Sequence, residues 1–272
     1  MPLKIAVCIK SVPEPGQYDR IKICPDTKSL VRTGVESAIS GGDRHALALA
    51  FAIKEKLGGA VTALTMGPPD AKGQLLEALA MGADRAVLLS DGQLAGSDAL
   101  ATSYALHLLL KNAGNFDLVL TGNESDDGGT TLVPSQLGEW MGLPHMMDVA
   151  GLEIENDKYL IAHKEAECEI LSYKIELPCL LAVKRKINTV PQTTVWGLYE
   201  ARSKTLETFG VDNLNGLDKS YIGLTGSPTK AGALRSARGN RNAQAIEGGV
   251  KEIAKAILNR INKLSPTAPK MR

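Results

Sequence analysis

The strongest constraint on the fold is the repeated alternation of short, largely apolar segments with longer segments of helical periodicity. Four apolar segments occur in the first 121 residues: LKIAVCI (3–9), AVTALTM (60–66), RAVLLS (85–90) and DLVLT (117–121). Strands that are apolar on both faces are typical of parallel sheets covered by helices on both sides. The sequence therefore predicts an α/β fold with a Rossmann-like, mostly parallel sheet and helices on both faces.

Helices are predicted between these strands, where apolar residues recur at helical spacing. They cover residues 43–56, 70–81 and 98–111, with Asp70 as the N-cap of the second helix. A further helix is predicted at SQLGEWMGL, after the fourth strand.

The pattern changes after about residue 144. Alternating apolar and polar residues between 152 and 183 predict an antiparallel extension of the sheet that ends in the apolar strand CLLAV. Residues 206–245 are rich in Gly, Asn, Ser and Arg, so little core is expected there, and an amphipathic helix is predicted for Gly248–Lys263. A stretch of this length without a core is expected to lie on another surface, such as that of a partner subunit, as an extended C-terminal arm.

Charge and residue usage argue against several classes of function. The net charge is +1 and aromatic residues make up only 4% of the chain, so no nucleic-acid partner is expected. The four cysteines form no C-x-x-C pair and the four histidines are dispersed, so no metal site is expected. The sequence contains no G-x-S-x-G motif, and no catalytic residue is assigned. It contains no signal peptide and no apolar stretch near the roughly 20 residues of a membrane helix, so we expect a cytoplasmic protein without a transmembrane segment.

Three loops follow strands at the edge of the sheet where ligands bind in folds of this kind. They are Lys10–Pro13, Met66–Pro69 and Thr121–Thr130, and they are expected to converge on one site. The sequence has neither G-x-x-x-x-G-K-[ST] nor a G-x-G-x-x-G after the first strand, which argues against a P-loop and an ordinary dinucleotide-binding Rossmann domain.

The segment TGNESDDGGTTLVP (121–134) allows two interpretations. It is either a capped loop without a ligand or a phosphate-binding loop. For the second interpretation, its two glycines allow close backbone approach and its two threonines offer hydroxyls and amides at a helix N-terminus. Asp126 and Asp127 would repel a phosphate, so they would face a ribose or cap the helix.

The order of motifs resembles that of the beta subunit of electron transfer flavoprotein, over nearly the whole chain. The resemblance rests on KIAVCIKSVP, EALAMGADRAVLLSD, TGNESDDGGTTLVPSQLGEWMGLP and IGLTGSPTK, and more loosely on AHKEAECEILSYKIELPCLLAV. It implies a nucleotide-binding domain over 1–190, a partner-docking segment over 191–205, and an arm and helix over 206–272 that pack on the alpha subunit.

The resemblance also implies a set of residues for each role. Val195 and Trp196 correspond to the segment that docks a redox partner, in agreement with the loop-like residues around them. Nucleotide neighbours are implied at twelve positions: Cys8, Lys10, Ser40, Met66, Gly122, Asp127, Gly128, Gly129, Thr130, Thr131, Leu132 and Val133. Of these, Cys8, Met66 and Gly122 would contribute mainly backbone or packing.

The chain departs from the family pattern at several of these positions. Gly129 and Leu132 stand where the family usually has an acid and a glutamine, and Ser40-Gly41 replaces Asn-Pro. INTVPQ (187–192) replaces L-N-E-P-R-Y. These changes affect nucleotide contact and partner docking, so they bear on which ligand is bound.

The resemblance implies an electron-transfer subunit rather than a stand-alone enzyme. It would form a heterodimer with the alpha subunit and exchange electrons with a flavin dehydrogenase. The bound nucleotide would be FAD, with NADH as a substrate, if the chain is of the electron-bifurcating kind, which AGSDALATSYAL (95–106) resembles more closely. One alternative is a simple carrier with structural AMP. Another is a universal-stress-type nucleotide sensor, and such a sensor would need neither the docking loop nor the tail.

Overall fold

The computed structural model describes residues 2–23, 30–31, 34–156, 158–230, 232 and 245–264. The chain divides into two compact units, Met1–Ala233 and Leu234–Arg272. The strands of the first unit are β1 (Leu3–Cys8), β2 (Ser11–Pro13), β3 (Lys22–Ile23), β4 (Leu30–Val31), β5 (Ser37–Ile39), β6 (Gly59–Met66), β7 (Arg85–Leu89), β8 (Leu118–Gly122), β9 (His145–Ile154), β10 (Tyr159–Glu165), β11 (Ile170–Glu176), β12 (Cys179–Val183) and β13 (Thr205–Phe209). Its helices are α1 (Gly41–Leu57), α2 (Lys72–Met81), α3 (Ala99–Ala113), α4 (Leu132–Met141) and α5 (Val195–Ala201).

Nine of these strands form one sheet in the order β11-β10-β9-β12-β8-β1-β6-β7-β13. The strands from β9 across to β13 run parallel, and β10 and β11 pair antiparallel beside β9. After β1 the chain adds β6 and β7 on one side and then returns to place β8 on the other side. The predicted α/β fold is confirmed, and so is an antiparallel extension, formed by β10 and β11 beside β9. The prediction that this extension includes CLLAV is wrong, because that strand (β12) pairs in parallel with both β8 and β9.

The sheet is apolar on both faces, as the continuous apolar runs predict. Along β1, Ile5 and Val7 belong to the core that α1 and α2 cover, whereas Ala6 and Cys8 belong to the core that α3 and α4 cover. Successive side chains of a strand point to opposite faces, so a strand buried between two helical layers must be apolar at every position.

Two predicted helix starts need correction. Helix α1 begins at Gly41, two residues before Asp43. Asp70 was expected to cap α2, but this prediction is wrong: the chain enters α2 through a 3-10 turn at Pro69–Ala71, and no side chain caps the helix. The turn supplies the entry because the Ala71 N–H donates to the carbonyl of Pro68 at 2.9 Å.

The expectation that residues 206–245 contribute little core is wrong for the part up to residue 230. Strand β13 pairs in parallel with β7 and forms one edge of the main sheet. Beyond it, Val211, Leu214 and Ile222 are buried in the core with α3 and α4. The sequence TLETF has only two apolar residues, Leu206 and Phe209, which do not alternate with polar ones, so it gives a weaker strand signal than the apolar runs of the central strands. Residues 231 and 233–244 lie outside the described residues.

Arg85 holds the edge strand β13 in place. Its guanidinium donates to both carboxylate oxygens of Glu207, at 2.7 and 2.8 Å, and to the carbonyl of Ala113 at 2.7 Å. Arg85→Met is therefore expected to cost about 1 kcal/mol, or a melting temperature lower by about 2–4 °C, because a bidentate pair contributes more than a single surface contact. The control is Lys158→Met, which breaks the exposed Lys158–Glu176 pair at 2.9 Å and should leave melting unchanged. Equal shifts in both variants would contradict this view of β13.

The second unit contains helix α6 (Val250–Leu264), which matches the predicted helix over 248–263. Val250, Ile257 and Ile261 recur at helical spacing and are exposed. Within its own unit, the helix therefore carries an apolar stripe that faces solvent.

Candidate nucleotide-binding cleft

A cleft of about 990 Å³ lies at the carboxyl ends of β1, β6 and β8. This is where the strand order reverses, and ligands of open α/β sheets bind at such points. The predicted site residues that line it are Cys8, Lys10, Met66, Gly122, Asp127, Gly128, Thr130, Thr131 and Val133. The three predicted loops therefore do converge.

The other three predicted site residues do not line the cleft. Ser40 is fully buried at the start of α1, and its Oγ accepts a hydrogen bond from the Asp126 N–H at 3.3 Å. Gly129 follows Gly128 in the loop and has a left-handed backbone conformation, with a φ of 56°. Leu132 is the exposed first residue of α4. Contact of these three with a ligand remains a prediction.

The N-terminus of α4 borders the cleft and has no side-chain cap. Thr131, the residue before the helix, has a φ of 59°, and its hydroxyl donates to the Thr130 carbonyl at 2.6 Å instead of accepting from the helix. A left-handed Thr costs about 1–3 kcal/mol, and such strain concentrates at ligand sites. Because the first N–H groups of the helix lack a side-chain acceptor, this end of α4 suits a phosphate.

Two of the three acids of the loop, Asp126 and Asp127, are each matched with a cation. Asp126 forms an ion pair with Arg185 and also accepts from the Gly41 N–H at 2.9 Å, so it caps α1 rather than the helix that follows it in sequence. Asp127 pairs with the Lys10 ammonium at 2.6 Å. The negative charges of Asp126 and Asp127 are therefore compensated, and the loop is anchored to α1 and to the turn after β1.

Asp43 joins the two central strands beneath the cleft, a role that the sequence analysis missed. Its carboxylate accepts from the N–H groups of Lys10 and Gly122, both at 2.8 Å. Burial raises the pKa of Asp43 to about 7, against the opposing effect of these hydrogen bonds and of the charges on Lys10 and Arg185. The sequence Gly-Gly-Asp at the start of α1 could have indicated this role of Asp43. A helix that begins at the carboxyl edge of the sheet places its first acid beside the ends of the neighbouring strands.

The far wall of the cleft is formed by the turn before α3. Asp98 caps α3 by accepting from the N–H groups of Leu100 and Ala101, at 3.0 and 3.1 Å. Its other oxygen accepts from the N–H and hydroxyl of Thr229, at 2.9 and 2.5 Å. Burial acts to raise the pKa of Asp98, but the hydrogen bonds outweigh it and the pKa is lowered. The IGLTGSPTK segment is thereby attached to the cleft wall.

Buried thiols play no ionic part in this site. Burial, together with the charge on Asp43, raises the pKa of Cys8 to about 12. Cys8 therefore stays neutral, and its packing or backbone contact with a nucleotide remains a prediction of the resemblance. No group of three or more His, Cys, Asp or Glu residues suited to a metal ion occurs in the part of the chain that the structure describes.

The groups around the cleft fit a nucleotide. The end of α4 offers N–H groups and Lys10 offers an ammonium, both of which suit phosphate. The Thr121 hydroxyl is buried and has no hydrogen-bond partner among the described residues. Polar groups that converge on a cleft of this volume are typical of a small-molecule or cofactor site.

A family model described as "Electron transfer flavoprotein domain" matches residues 27–214. The chain belongs to this family. The resemblance seen in the sequence motifs is therefore confirmed.

Three relatives match almost the entire chain. An electron transfer flavoprotein subunit beta of Thermoanaerobacterium thermosaccharolyticum is 36% identical over 261 residues, covering 96% of this chain and 98% of the relative. The same-named protein of Clostridium acetobutylicum is 33% identical, with the same coverage. The caffeyl-CoA reductase-Etf complex subunit CarD of Acetobacterium woodii is 35% identical over 263 residues, covering 96% and 98%.

The predicted docking residues of this electron transfer flavoprotein homologue lie on α5, outside the cleft lining. Val195 and Trp196 are 86% and 66% exposed, and Leu198 and Tyr199 beside them are also exposed. The Trp196 Nε1 donates to Glu200 at 2.8 Å, which orients the indole without burying it. We call this set, Val195, Trp196, Leu198 and Tyr199, the α5 patch. Among the described residues, no helix is long and apolar enough to cross a membrane.

Proposed function

We propose that this chain is the beta-type subunit of an electron transfer flavoprotein that holds FAD in the cleft and works in a heterodimer with an alpha subunit. The names of the relatives support the subunit role, since two are called subunit beta and a third belongs to a caffeyl-CoA reductase-Etf complex. A flavin dehydrogenase of the acyl-CoA type is then the expected redox partner, and NADH a candidate electron donor. We expect the complex to be cytoplasmic.

The extent of the cleft is the observation that carries the choice of FAD. A mononucleotide would need only the β8–α4 loop and the turn after β1. The cleft continues past these to Ser97, Asp98 and Thr102 at the far wall, and its 990 Å³ is at the upper end of the range of about 300–1,000 Å³ for cofactor sites. AMP in a simple carrier is the alternative, and it would leave the far wall unused.

In this proposal the chain's own residues bind, orient and shield the cofactor. The α4 N-terminus and Thr130 hold phosphate, Lys10 balances charge, and Met66 and Val133 exclude water from the cleft floor. The flavin, when bound, supplies the hydride and one-electron chemistry. The α5 patch docks the dehydrogenase, and the arm with α6 packs its apolar stripe on the alpha subunit. The proposed division is a nucleotide-binding domain over 1–190, docking over 191–205 and the arm over 206–272, of which β13 and the buried residues up to Ile222 pack on the sheet of the first unit.

The experiment that tests the proposal is a count of cofactors. The chain is co-produced with its alpha subunit, the complex is denatured, and released FAD and AMP are quantified per heterodimer. Two FAD and no AMP are expected, one FAD in each subunit. One FAD with one AMP would make this chain the structural half of a simple carrier. One FAD without AMP, or no heterodimer, would contradict the proposal.

Asp126 is expected to determine how well the loop holds the nucleotide. Asp126→Ala leaves Arg185 and the Gly41 N–H without their shared partner, so the loop loses its anchor on α1. Loss of a cap of this kind costs about 0.5–2 kcal/mol, and we expect FAD affinity to fall by roughly 10-fold. Fluorescence titration of the released and re-bound flavin measures it.

The control for this variant is Asp212→Ala, which removes an exposed acid outside the cleft. It should leave the FAD affinity unchanged. An Asp126→Ala protein that binds FAD as tightly as the wild type would show that the ion pair does not position the loop.

A further inference from the structure

The Asp43 carboxyl group links the ends of the two strands between which the strand order reverses. One oxygen accepts from the Lys10 N–H at the end of β1 and the other from the Gly122 N–H at the end of β8. The group is buried and also lines the cleft floor. It therefore lies at the part of the cleft between the ends of β1 and β8 and is hydrogen-bonded to both strand ends.

The charges around Asp43 leave its own charge poorly compensated. Lys10 approaches from the turn after β1, but its ammonium pairs with Asp127. Arg185 approaches from the turn after β12, but its guanidinium pairs with Asp126. Other titratable groups on the adjoining elements include the neutral Cys8 thiol, Glu124 on the loop after β8 and, on α1 itself, His45 and Arg44, the latter paired with Glu77.

A bound nucleotide would add negative charge above this carboxylate. Two like charges that share a low-dielectric site disfavour each other, and the weaker acid takes up a proton. A carboxylic acid keeps one full acceptor oxygen, so one of the two backbone N–H contacts persists in the protonated form and the other, to the hydroxyl oxygen, is weakened.

We propose that Asp43 is a positioning residue that takes up one proton from solvent as the phosphates of a nucleotide enter the cleft, and releases it when the nucleotide leaves. The inference rests on the proposed nucleotide site and adds a proton to its binding equilibrium. Nucleotide affinity should then rise as the pH falls from 8 to 6, because the protonated form carries no charge beneath the phosphates.

Burial supports this assignment, because it already raises the pKa of Asp43 to about 7 in the free protein. At pH 7.5 such a group is about one-quarter protonated, and a ligand that raises its titration midpoint by about one pH unit makes it about three-quarters protonated. Binding should therefore take up about half a proton at pH 7.5.

The test is calorimetric titration of the full chain, freed of nucleotide, with FAD in two buffers of different ionisation enthalpy at pH 7.5. FAD is the probe because its pyrophosphate is a diester without the ionisation near pH 6 that a phosphate monoester has. The wild type should take up about half a proton per FAD, and Asp43→Asn close to none. Asp117→Asn is the matched control, since the Asp117 carboxylate accepts from the Lys4 N–H at 2.8 Å and links β1 to the start of β8 at the opposite edge of the sheet. It should behave as the wild type.

Two outcomes overturn the inference. Equal proton uptake by the wild type and Asp43→Asn overturns it and leaves the proposed FAD site intact. Absence of FAD binding to the wild type overturns both. A second measurement covers the case in which Asp43→Asn does not fold: wild-type uptake measured from pH 6 to 9 should peak between about 7 and 8, and a flat profile overturns the inference.

The pH dependence of the melting temperature, measured without ligand, shows whether Asp43 titrates or only supports the structure. The pKa of Asp43 is raised on folding, so its contribution to stability is complete below about pH 4 and is lost as the pH rises through about 7. Between these limits the wild-type melting temperature should fall by about 3–5 °C per pH unit relative to Asp43→Asn. Parallel melting curves across this range would show that Asp43 does not titrate there.

Discussion

A Gly122→Ala substitution is expected to abolish nucleotide retention and to lower the melting temperature by roughly 6–12 °C. A Cβ at this position would lie 2.6 Å from the Asp43 Oδ1, 2.8 Å from the Gly42 carbonyl carbon and 2.9 Å from the Asp43 N. Two of these atoms are backbone, so α1 itself must move away from β8. We expect a cost of about 3 kcal/mol, at the upper end for an added methyl group in a packed interior.

The same displacement would break the link from Asp43 to the Gly122 N–H and shift the loop that follows β8. Thermal melting and quantification of bound FAD measure the two effects. Gly73→Ala on α2 is the control, because no atom lies within 4 Å of its added Cβ and alanine favours the helix by about 1 kcal/mol. A Gly122→Ala protein with wild-type melting and bound FAD would show that the contact between α1 and β8 is not tight.

The sheet could be predicted from the sequence because the property that buries a central strand is local. Ile5, Val7, Leu118 and Leu120 belong to runs that are apolar at each position, and short runs of this kind are typical of strands covered on both faces. The same reasoning fails at β13, because the sequence TLETF looks like part of a polar tail. In the structure the guanidinium of Arg85 donates to both carboxylate oxygens of Glu207, and this contact is not visible in the sequence of the strand. An edge strand is determined by its neighbour more than by its own residues.

The cleft could be predicted in outline and not in detail. Its glycines and threonines follow a strand at the edge where ligands bind, which places them near one another from topology alone. The positions of the acids could not be predicted in this way. Asp126 caps a helix 85 residues earlier in the chain, and Asp43 reaches Gly122 across 79 residues. Interactions across such separations have no local pattern, so the sequence leaves open whether an acid caps, pairs or faces a ligand.

The cleft and the α5 patch place cofactor binding and partner docking on different elements. The cleft residues come from strand ends and the turns after them, whereas α5 follows the last of the central strands and is absent from the cleft lining. Substitutions in the α5 patch should therefore leave cofactor binding unchanged, and substitutions in the cleft should leave docking unchanged. The free-energy effects of substitutions at distant sites without a shared partner are usually additive. This separation makes the docking proposal testable without disturbing the cofactor.

Trp196→Ala is expected to slow electron exchange with the dehydrogenase by roughly 30-fold or more, with melting and bound FAD unchanged. Trp196 is 66% exposed, and among the described residues its side chain has a hydrogen bond to Glu200 and a ring contact with Tyr199 at 5.5 Å, both on its own helix. Its removal should therefore change stability by less than about 0.5 kcal/mol. An exposed Trp that becomes buried on docking is typical of an interface hot spot, worth about 2 kcal/mol or more. The rate is measured as flavin reduction in the heterodimer at limiting dehydrogenase.

The matched control is Ile170→Ser, which removes a 67% exposed apolar side chain from β11, at the opposite edge of the sheet from β13. If general loss of surface hydrophobicity caused the effect, both variants would slow electron exchange alike. If the α5 patch is the docking surface, only Trp196→Ala slows electron exchange. The slower rate is then seen at limiting dehydrogenase, and the rate at saturating dehydrogenase stays that of the wild type. A normal rate for Trp196→Ala would remove α5 from the docking surface and leave the FAD site unaffected, since Trp196 does not line the cleft.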